Sequence, residues 1–400
     1  MRRRDRTNPP TPARPRAAGG LSAARPAAAV LTGAATAAAA GLLALPAAGA
    51  QANTPQAVQR GLERLVAAGD GPPGAIATLH RDGRTTVLRA GRANVRRPGA
   101  PRLNDHMRIA SVAKAYSAAV ALHLVQEGRL GLDDTIAQRL PSLPAAWGAV
   151  TIRQLLNHTS GVPDYTRSSG FARQAQRDPR GFVSPARIVS WVAADPLAFA
   201  PGTRYEYSNT DNIVVGLIAE AVAGRPYGTL LREIVFGPAR LTRTSFPTAV
   251  ALPRPFVHGY VVEDGRAQDV STFLSPSGAW ASGAIVATPG DLGRFVRADL
   301  GRRFFGAEQQ REQLSFVAGS SSPPGPGTNA AGLGIFRYAT RCGTVYGHTG
   351  NFPGYVQFAA ATADGSRSVT TSLNIPAPRG RLLRQLRGVQ TTAVCALLSP

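Results

Sequence analysis

The chain has 400 residues, with 45 Lys and Arg against 23 Asp and Glu, giving a formal net charge of +22 at pH 7. That length buries a large core, and the ordinary apolar fraction calls for a globular fold. The charge invites a nucleic-acid partner, but the arginines are scattered and aromatic residues make up only 6%, so no nucleic-acid partner is expected.

Residues 1–52 read as an export leader and 53–400 as the mature domain. Arg2, Arg3, Arg4 and Arg6 open a basic region continued by Arg14, Arg16 and Arg25, and an Ala-rich apolar stretch runs from Ala27 to Leu45. Ala48-Gly49-Ala50 offers a small-residue cleavage site, with Ala50-Gln51-Ala52 as a second option. A retained anchor is the other reading, since the stretch is almost long enough to span a bilayer. Its many Ala, with Gly and Thr, make it weakly hydrophobic, which favours cleavage, a secreted or envelope location and no stable membrane insertion. The leader holds seven Arg and one Asp, so its removal lowers the charge from +22 to +16. Cys342 and Cys395 are an even count in an exported chain and suit one disulfide. Such a bond constrains the unfolded chain by about 4 kcal/mol in the entropy model; two buried thiols are the alternative.

Val58, Leu62, Leu65 and Val66 give helical spacing over Ala57–Ala68, which Pro72-Pro73-Gly74 breaks. Ala75–His80 and Thr85–Ala90 read as strands about the turn Arg81-Asp82-Gly83. Ser111–Glu127 is apolar on nearly all sides, a buried central helix ended by Gly128. From Leu130 to about Val270 helix and loop dominate, with helices over Ile152–Asn157, Pro185–Ala194 and Ile213–Ala223. Arg266–Ser277 is largely polar, Asp291–Leu300 is helical, and 319–332 is a Ser/Pro/Gly loop. Thr344–Gly347, Val356–Ala361 and Ser368–Leu373 read as strands in a hairpin-like series, and Leu382–Leu398 closes as a helix. Strands at both ends and helices between predict an α+β fold. An α/β lobe covers about 53–110 and 280–400, and an inserted all-helical lobe covers about 111–279.

Ser111-Val112-Ala113-Lys114 reads S-x-x-K, and on a helix such positions share a face. Lys114 is the only lysine in the chain. Serine fills 23 of 400 positions, so chance puts one at that offset about 6% of the time (23/400). Arginine cannot be deprotonated in a protein, whereas a desolvated lysine can act as a base. A lone lysine among so many arginines therefore points to a base that activates Ser111. Tyr207-Ser208-Asn209 supplies a hydroxyl able to relay a proton and an amide able to hold a carbonyl. His348-Thr349-Gly350 follows a strand whose edge aligns an extended substrate.

S-x-x-K, Y-x-N and H-T-G in this order resemble the serine β-lactamase and penicillin-binding superfamily. The chain is most similar to secreted D-alanyl-D-alanine carboxypeptidases close to class C β-lactamases. Arg153–Gly161 resembles the family's helix-to-loop segment, and Pro201-Gly202-Thr203 through Asn209 its P-G-x-x-x-x-Y-S-N run. The resemblance covers about residues 55–398. It implies the β-lactamase/transpeptidase-like fold, an antiparallel sheet flanked by helices with the helical lobe inserted. It implies that Ser111 is acylated, that Lys114 and Tyr207 form the proton network and that Asn209 orients the substrate amide. His348, Thr349 and Gly350 then line the substrate strand, and the N–H groups of Ser111 and Asn351 form an oxyanion hole. Phe171 and Trp280 are expected in the acyl pocket, and Arg337 on the substrate's terminal carboxylate. His158-Thr159-Ser160-Gly161 is expected to be structural.

The function so implied is a penicillin-sensitive D-Ala-D-Ala carboxypeptidase, acting as a monomer without cofactor or metal on peptidoglycan stem peptides or β-lactams. A class C-like β-lactamase and an esterase or D-aminopeptidase on the same scaffold are the alternatives, with a non-catalytic envelope-binding protein as a different class. Glu206 is the only Glu from 128 to 219, which argues against a class A deacylation site.

Overall fold

A computed structural model describes residues 53–320 and 325–399, so the expected leader lies outside the described residues. Helix α1 (Pro55–Val66) starts at Thr54, whose side chain accepts from the Ala57 N–H. Strands β1 (Gly74–Arg81) and β2 (Arg84–Gly91) pair as a hairpin. The short β3 (Met107–Arg108) leads into a 3₁₀ turn, Ala110–Val112, and then helix α2 (Ala113–Gln126). Helices α3 (Ile136–Arg139), α4 (Ile152–Leu156), α5 (Ser169–Arg177), α6 (Pro185–Ser190), α7 (Asn209–Ala223) and α8 (Tyr227–Leu230) follow. A hairpin of β4 (Tyr260–Glu263) and β5 (Arg266–Asp269) precedes α9 (Trp280–Gly283) and β6 (Val286–Ala287). Helices α10 (Pro289–Leu300) and α11 (Ala307–Gln313) come next. Strands β7 (Thr328–Ala331), β8 (Phe336–Thr340), β9 (Gly343–Phe352), β10 (Tyr355–Ala361) and β11 (Ser368–Leu373) complete the sheet, and helix α12 (Gly380–Leu398) closes the chain.

The main sheet has seven strands in the order β2-β1-β11-β10-β9-β8-β7, all antiparallel. Its inner strands β10 and β11 are buried along their whole length, as expected for a sheet covered on both faces. Helices α1 and α12 form a core against one face, through Val58, Leu62, Leu386 and Val394. On the other face, Leu292, Phe295 and Val296 of α10 join the larger core built on α2 and α7. Helix α2 is the hub of that core, buried from Ala113 through Leu122. Cys342, in the β8–β9 turn, is bonded to Cys395 of α12, with Cα atoms 5.1 Å apart.

Several boundaries differ from the sequence reading. Ser111 lies in the 3₁₀ turn before α2, not within the α-helix. The preceding Ala110 has φ +50°, a left-handed conformation that costs free energy for a residue with a Cβ. Helix α7 begins at Asn209, four residues before the expected start. Its polar first turn is buried because tertiary partners satisfy it: Thr210 Oγ1 accepts from Tyr165 N–H at 2.9 Å and donates to Pro163 O at 2.5 Å. Strand β8 and the β4–β5 hairpin fall where no strand was expected. Among the described residues, no single helix is long and apolar enough to cross a membrane.

Candidate active site

Lys114 is fully buried, and its Nζ makes three contacts. It lies 3.1 Å from Ser111 Oγ, 2.8 Å from Asn209 Oδ1 and 2.9 Å from the Ser282 carbonyl. Burial pushes its pKa down to about 7, against the opposing pull of Asp164 and Asp211. When the amine is neutral, its lone pair needs a donor. Asn209 Oδ1 and Ser282 O only accept, so the Ser111 hydroxyl is the one group of the three that can give Lys114 a proton. Asn209 is held in this sense from behind, because its Nδ2 donates to Asp164 Oδ2 at 3.0 Å.

Tyr207 stands across Lys114, with Nζ 5.0 Å from its ring centroid. Its hydroxyl is turned toward Ser111, but falls short of hydrogen-bond geometry and so is buried without a formed partner. Burial raises its pKa well above the ordinary tyrosine value, so it is a neutral phenol at pH 7. The loop carrying Tyr207 rests on His158, whose ring is 4.3 Å from the Tyr207 ring, centroid to centroid. His158 Nδ1 lies 2.7 Å from Asp211 Oδ2, and Ser160 Oγ donates to Asp211 Oδ1 at 2.5 Å. Burial lowers the His158 pKa and raises that of Asp211, which favours the neutral form of each. The His158-Thr159-Ser160-Gly161 segment is thus structural, as the resemblance implied. What it supports is the Tyr207 loop, a role that sequence gave no sign of.

Strand β8 pairs with β9 only as far as Gly347, leaving the edge from His348 to Phe352 free of β8. Gly350 backs onto the Ser111 turn, where any Cβ would collide with the Ile109 carbonyl. His348 is buried behind this edge. Its pKa is pushed down to about 3, by burial first and then by Lys114, so it is neutral. Thr349, Gly350 and Asn351 line the cleft, whereas His348 is not among its lining residues. The Asn351 side chain accepts from the Ala377 N–H at 2.7 Å.

The cleft has a volume of about 730 Å³. Phe171 lies in its wall, packed edge-on against Tyr165 (5.7 Å) and Trp191 (6.0 Å). Two expected site residues are elsewhere. Trp280 does not line the cleft: it is buried against Tyr227, at 5.2 Å, and steadies the turn whose Ser282 carbonyl meets Lys114. Arg337 is exposed on β8, stacked over Phe316 at 5.1 Å, and likewise does not reach the cleft. Among the described lining residues there is no Arg or Lys, and Asp178 is the sole charged one. Arg108, three residues before Ser111, is buried beside Phe352 and donates to the Ser271 and Val250 carbonyls.

An α+β scaffold that sets Ser111 and Tyr207 about the buried Lys114 is that of a serine hydrolase. The family model described as Beta-lactamase matches residues 62–391, and the chain belongs to that family. It is 29% identical to Penicillin-binding protein 4 of Amycolatopsis lactamdurans over 57% of this chain and 59% of the relative. It is 27% identical to the D-alanyl-D-alanine-carboxypeptidase/endopeptidase AmpH of Escherichia coli, over 73% of this chain and 77% of the relative. The chain spans little more than half the length of several curated relatives it matches. Among solved structures, a D-stereospecific amidohydrolase from Streptomyces sp. superposes with a TM-score of 0.70 at 32% identity, over 83% of this chain and 98% of that one. The D-amino acid amidase of Ochrobactrum anthropi SV3 gives 0.74 at 26% identity, over 84% and 98%.

Proposed function

We propose that the chain is a serine hydrolase that cleaves the amide bond on the carbonyl side of a D-amino-acid residue, through an acyl-enzyme on Ser111. The observation that carries this reading is the Lys114 environment, in which only Ser111 can donate to the neutral amine. As Ser111 Oγ bonds to the substrate carbonyl carbon, Lys114 takes its proton, and the carbonyl electron pair moves onto oxygen between the N–H groups of Ser111 and Asn351. The intermediate collapses and expels the amine, which recovers the proton from Lys114 through the Tyr207 hydroxyl. Water then enters by the same route and releases the acid. Asn209 and Thr349 orient the substrate, and Phe171 with Tyr165 and Trp191 receives the acyl side chain.

The D-configuration is supported by the two solved relatives, one named a D-stereospecific amidohydrolase and the other a D-amino acid amidase, each matched over 98% of its length. An uncharged leaving group is supported by the absence of Arg and Lys among the described cleft residues, since a terminal carboxylate is ordinarily held by a cation. A second reading, a penicillin-sensitive D-Ala-D-Ala carboxypeptidase on peptidoglycan stem peptides, is favoured by the free edge of β9, on which an extended peptide can lie. The test compares kcat/KM for D-phenylalaninamide, its L enantiomer, diacetyl-Lys-D-Ala-D-Ala and the same peptide amidated at its C-terminus. We expect D over L and amide over free acid. A free acid that outperforms its amide replaces the first reading with the second. We also read residues 1–52 as an export leader, to be checked by N-terminal sequencing of secreted protein.

A further inference from the structure

The concave surface beside α10 carries four arginines and no assigned role. Arg240, Arg294, Arg297 and Arg303 line an open cleft of about 780 Å³. Arginines are common in this chain, so proximity alone means little. Two features set the group apart. Three of the four side chains are pinned: Arg294 Nη1 donates to the Arg240 carbonyl (2.9 Å) and Asp291 Oδ1 (3.0 Å), Arg303 Nε to the Pro238 carbonyl (3.1 Å), and Arg297 Nη1 to Ser368 Oγ (2.6 Å). And counter-charge is short. Asp291 is the only carboxylate within ion-pair distance of any of the four among the described residues, and it touches Arg294 alone.

Arg297 is half-buried with no acidic partner, and burial together with the neighbouring Arg294 pushes its pKa down to about 10. Converging cations taken partly out of water cost free energy unless an anion answers them. Pinned side chains also lose little freedom when a ligand arrives. Guanidinium groups match phosphate oxygens in geometry as well as charge.

We propose that this cleft is a binding site for a phosphate-bearing anion, separate from the catalytic cleft. Ser368, which holds Arg297, lies four residues along β11 from Ser372, the partner of the cleft residue Gln357. That offset is about 14 Å of strand, so the two sites do not share residues and stand independently of the substrate assignment above. The phosphate can come as a small free anion or within a polyphosphate chain; the chemistry at the arginines is the same.

The test uses the full mature chain, with pyrophosphate and long-chain polyphosphate titrated at constant ionic strength against a chloride control. Calorimetry and thermal melting should show saturable pyrophosphate binding that chloride does not reproduce. Arg297→Gln should weaken it roughly tenfold or more and leave ester hydrolysis at Ser111 unchanged. Tighter binding of polyphosphate per phosphate marks the polymer as the source, and equal binding marks the small anion. If Arg297→Gln itself melts early, Arg303→Gln on the exposed rim gives the same readout. Equal pyrophosphate affinity in wild type and in a folded variant, or a response matched by chloride, would overturn the proposal.

Discussion

Ser111 Oγ is the only proton donor among the three groups that meet Lys114 Nζ, at 3.1 Å. Asn209 and the Ser282 carbonyl fill the other two positions with oxygens that only accept. The direction of proton flow is thus written into the fold before substrate arrives, and Lys114→Arg should break it. Arginine keeps the charge but cannot take a proton, and its planar group does not fit a site built for an ammonium. We expect kcat/KM for D-phenylalaninamide to fall by about 10²–10⁴-fold, measured beside Ser111→Ala. A normally melting Arg variant that stays within a few-fold of wild type would remove Lys114 from the mechanism.

The pH dependence follows from the same group. Lys114 must be neutral to accept a proton, and its pKa lies at about 7. Acylation should therefore rise with pH through about 7 and level off above it. The unfolded chain keeps this proton up to about 10.4. Between about 7 and 10 the unfolded state thus binds more protons, and the contribution of Lys114 to stability rises with pH. A stopped-flow pH profile in wild type and denaturant melts of Lys114→Met read the two effects separately. A rate that is flat from pH 6 to 8 would count against a neutral-lysine base.

Asp211→Asn tests whether the pair beneath Tyr207 is neutral. An amide replaces a protonated carboxyl well: its N–H donates to His158 Nδ1 and its oxygen accepts from Ser160. The variant should stay within about 1 kcal/mol of wild-type stability and within a few-fold in kcat. Asp211→Leu removes the acceptor of the Ser160 hydroxyl and the short contact to His158 Nδ1, and should lose far more of both. A large loss in the Asn variant would mean that the pair is ionic.

Asp299 is buried, with Oδ2 accepting from Gln313 Nε2 at 3.0 Å and Oδ1 unpartnered in the structure. Burial raises its pKa to about 7. A raised carboxyl pKa means that the folded state holds the proton longer than the unfolded state, so stability is lost as pH rises from about 4 through about 7. Asp299→Asn should remove that slope and stabilise the protein at pH 8. Equal slopes in chemical melts of the two proteins would refute this.

Cys342 and Cys395 tie the β8–β9 turn to α12 across 53 residues. Cys342→Ser/Cys395→Ser should cost about 4 kcal/mol by the loop-closure model, with kcat/KM intact at low temperature because the bond is remote from Ser111. Non-reducing peptide maps of secreted protein should show the linked pair; two alkylatable thiols would contradict it.

Ser111, Lys114, Tyr207 and Asn209 were legible in sequence because each sits in a short motif of fixed spacing. So were the paired strands β1 and β2, marked by the turn signal between them, and the closing helix. The missed residues act across the chain. Asp164 holds Asn209 from 45 positions away, and its sign, a carboxylate just after Gly161-Val162-Pro163, is easily read as turn chemistry. Asp211 sits in a polar tetrad that looks like loop until its buried partners are known. Trp280 and Arg337 failed for the opposite reason. Each was assigned from local likeness, but the packing of Tyr227 and of Phe316 decides where those side chains go. Strand β8 was hidden because its ladder partner β9 supplies the support that its own short pattern does not.

The burial of the sole lysine has a chemical consequence. Apart from an N-terminus, the chain presents no accessible primary amine, because all its other basic side chains are guanidinium or imidazole. Amine-directed esters should leave the folded surface unmodified, and cross-linkers of that class should not join the chain to a neighbour through its side chains. Modification of Lys114 requires the core around α2 to open. Its rate therefore measures how often the catalytic centre breathes, with one residue serving as both base and clock.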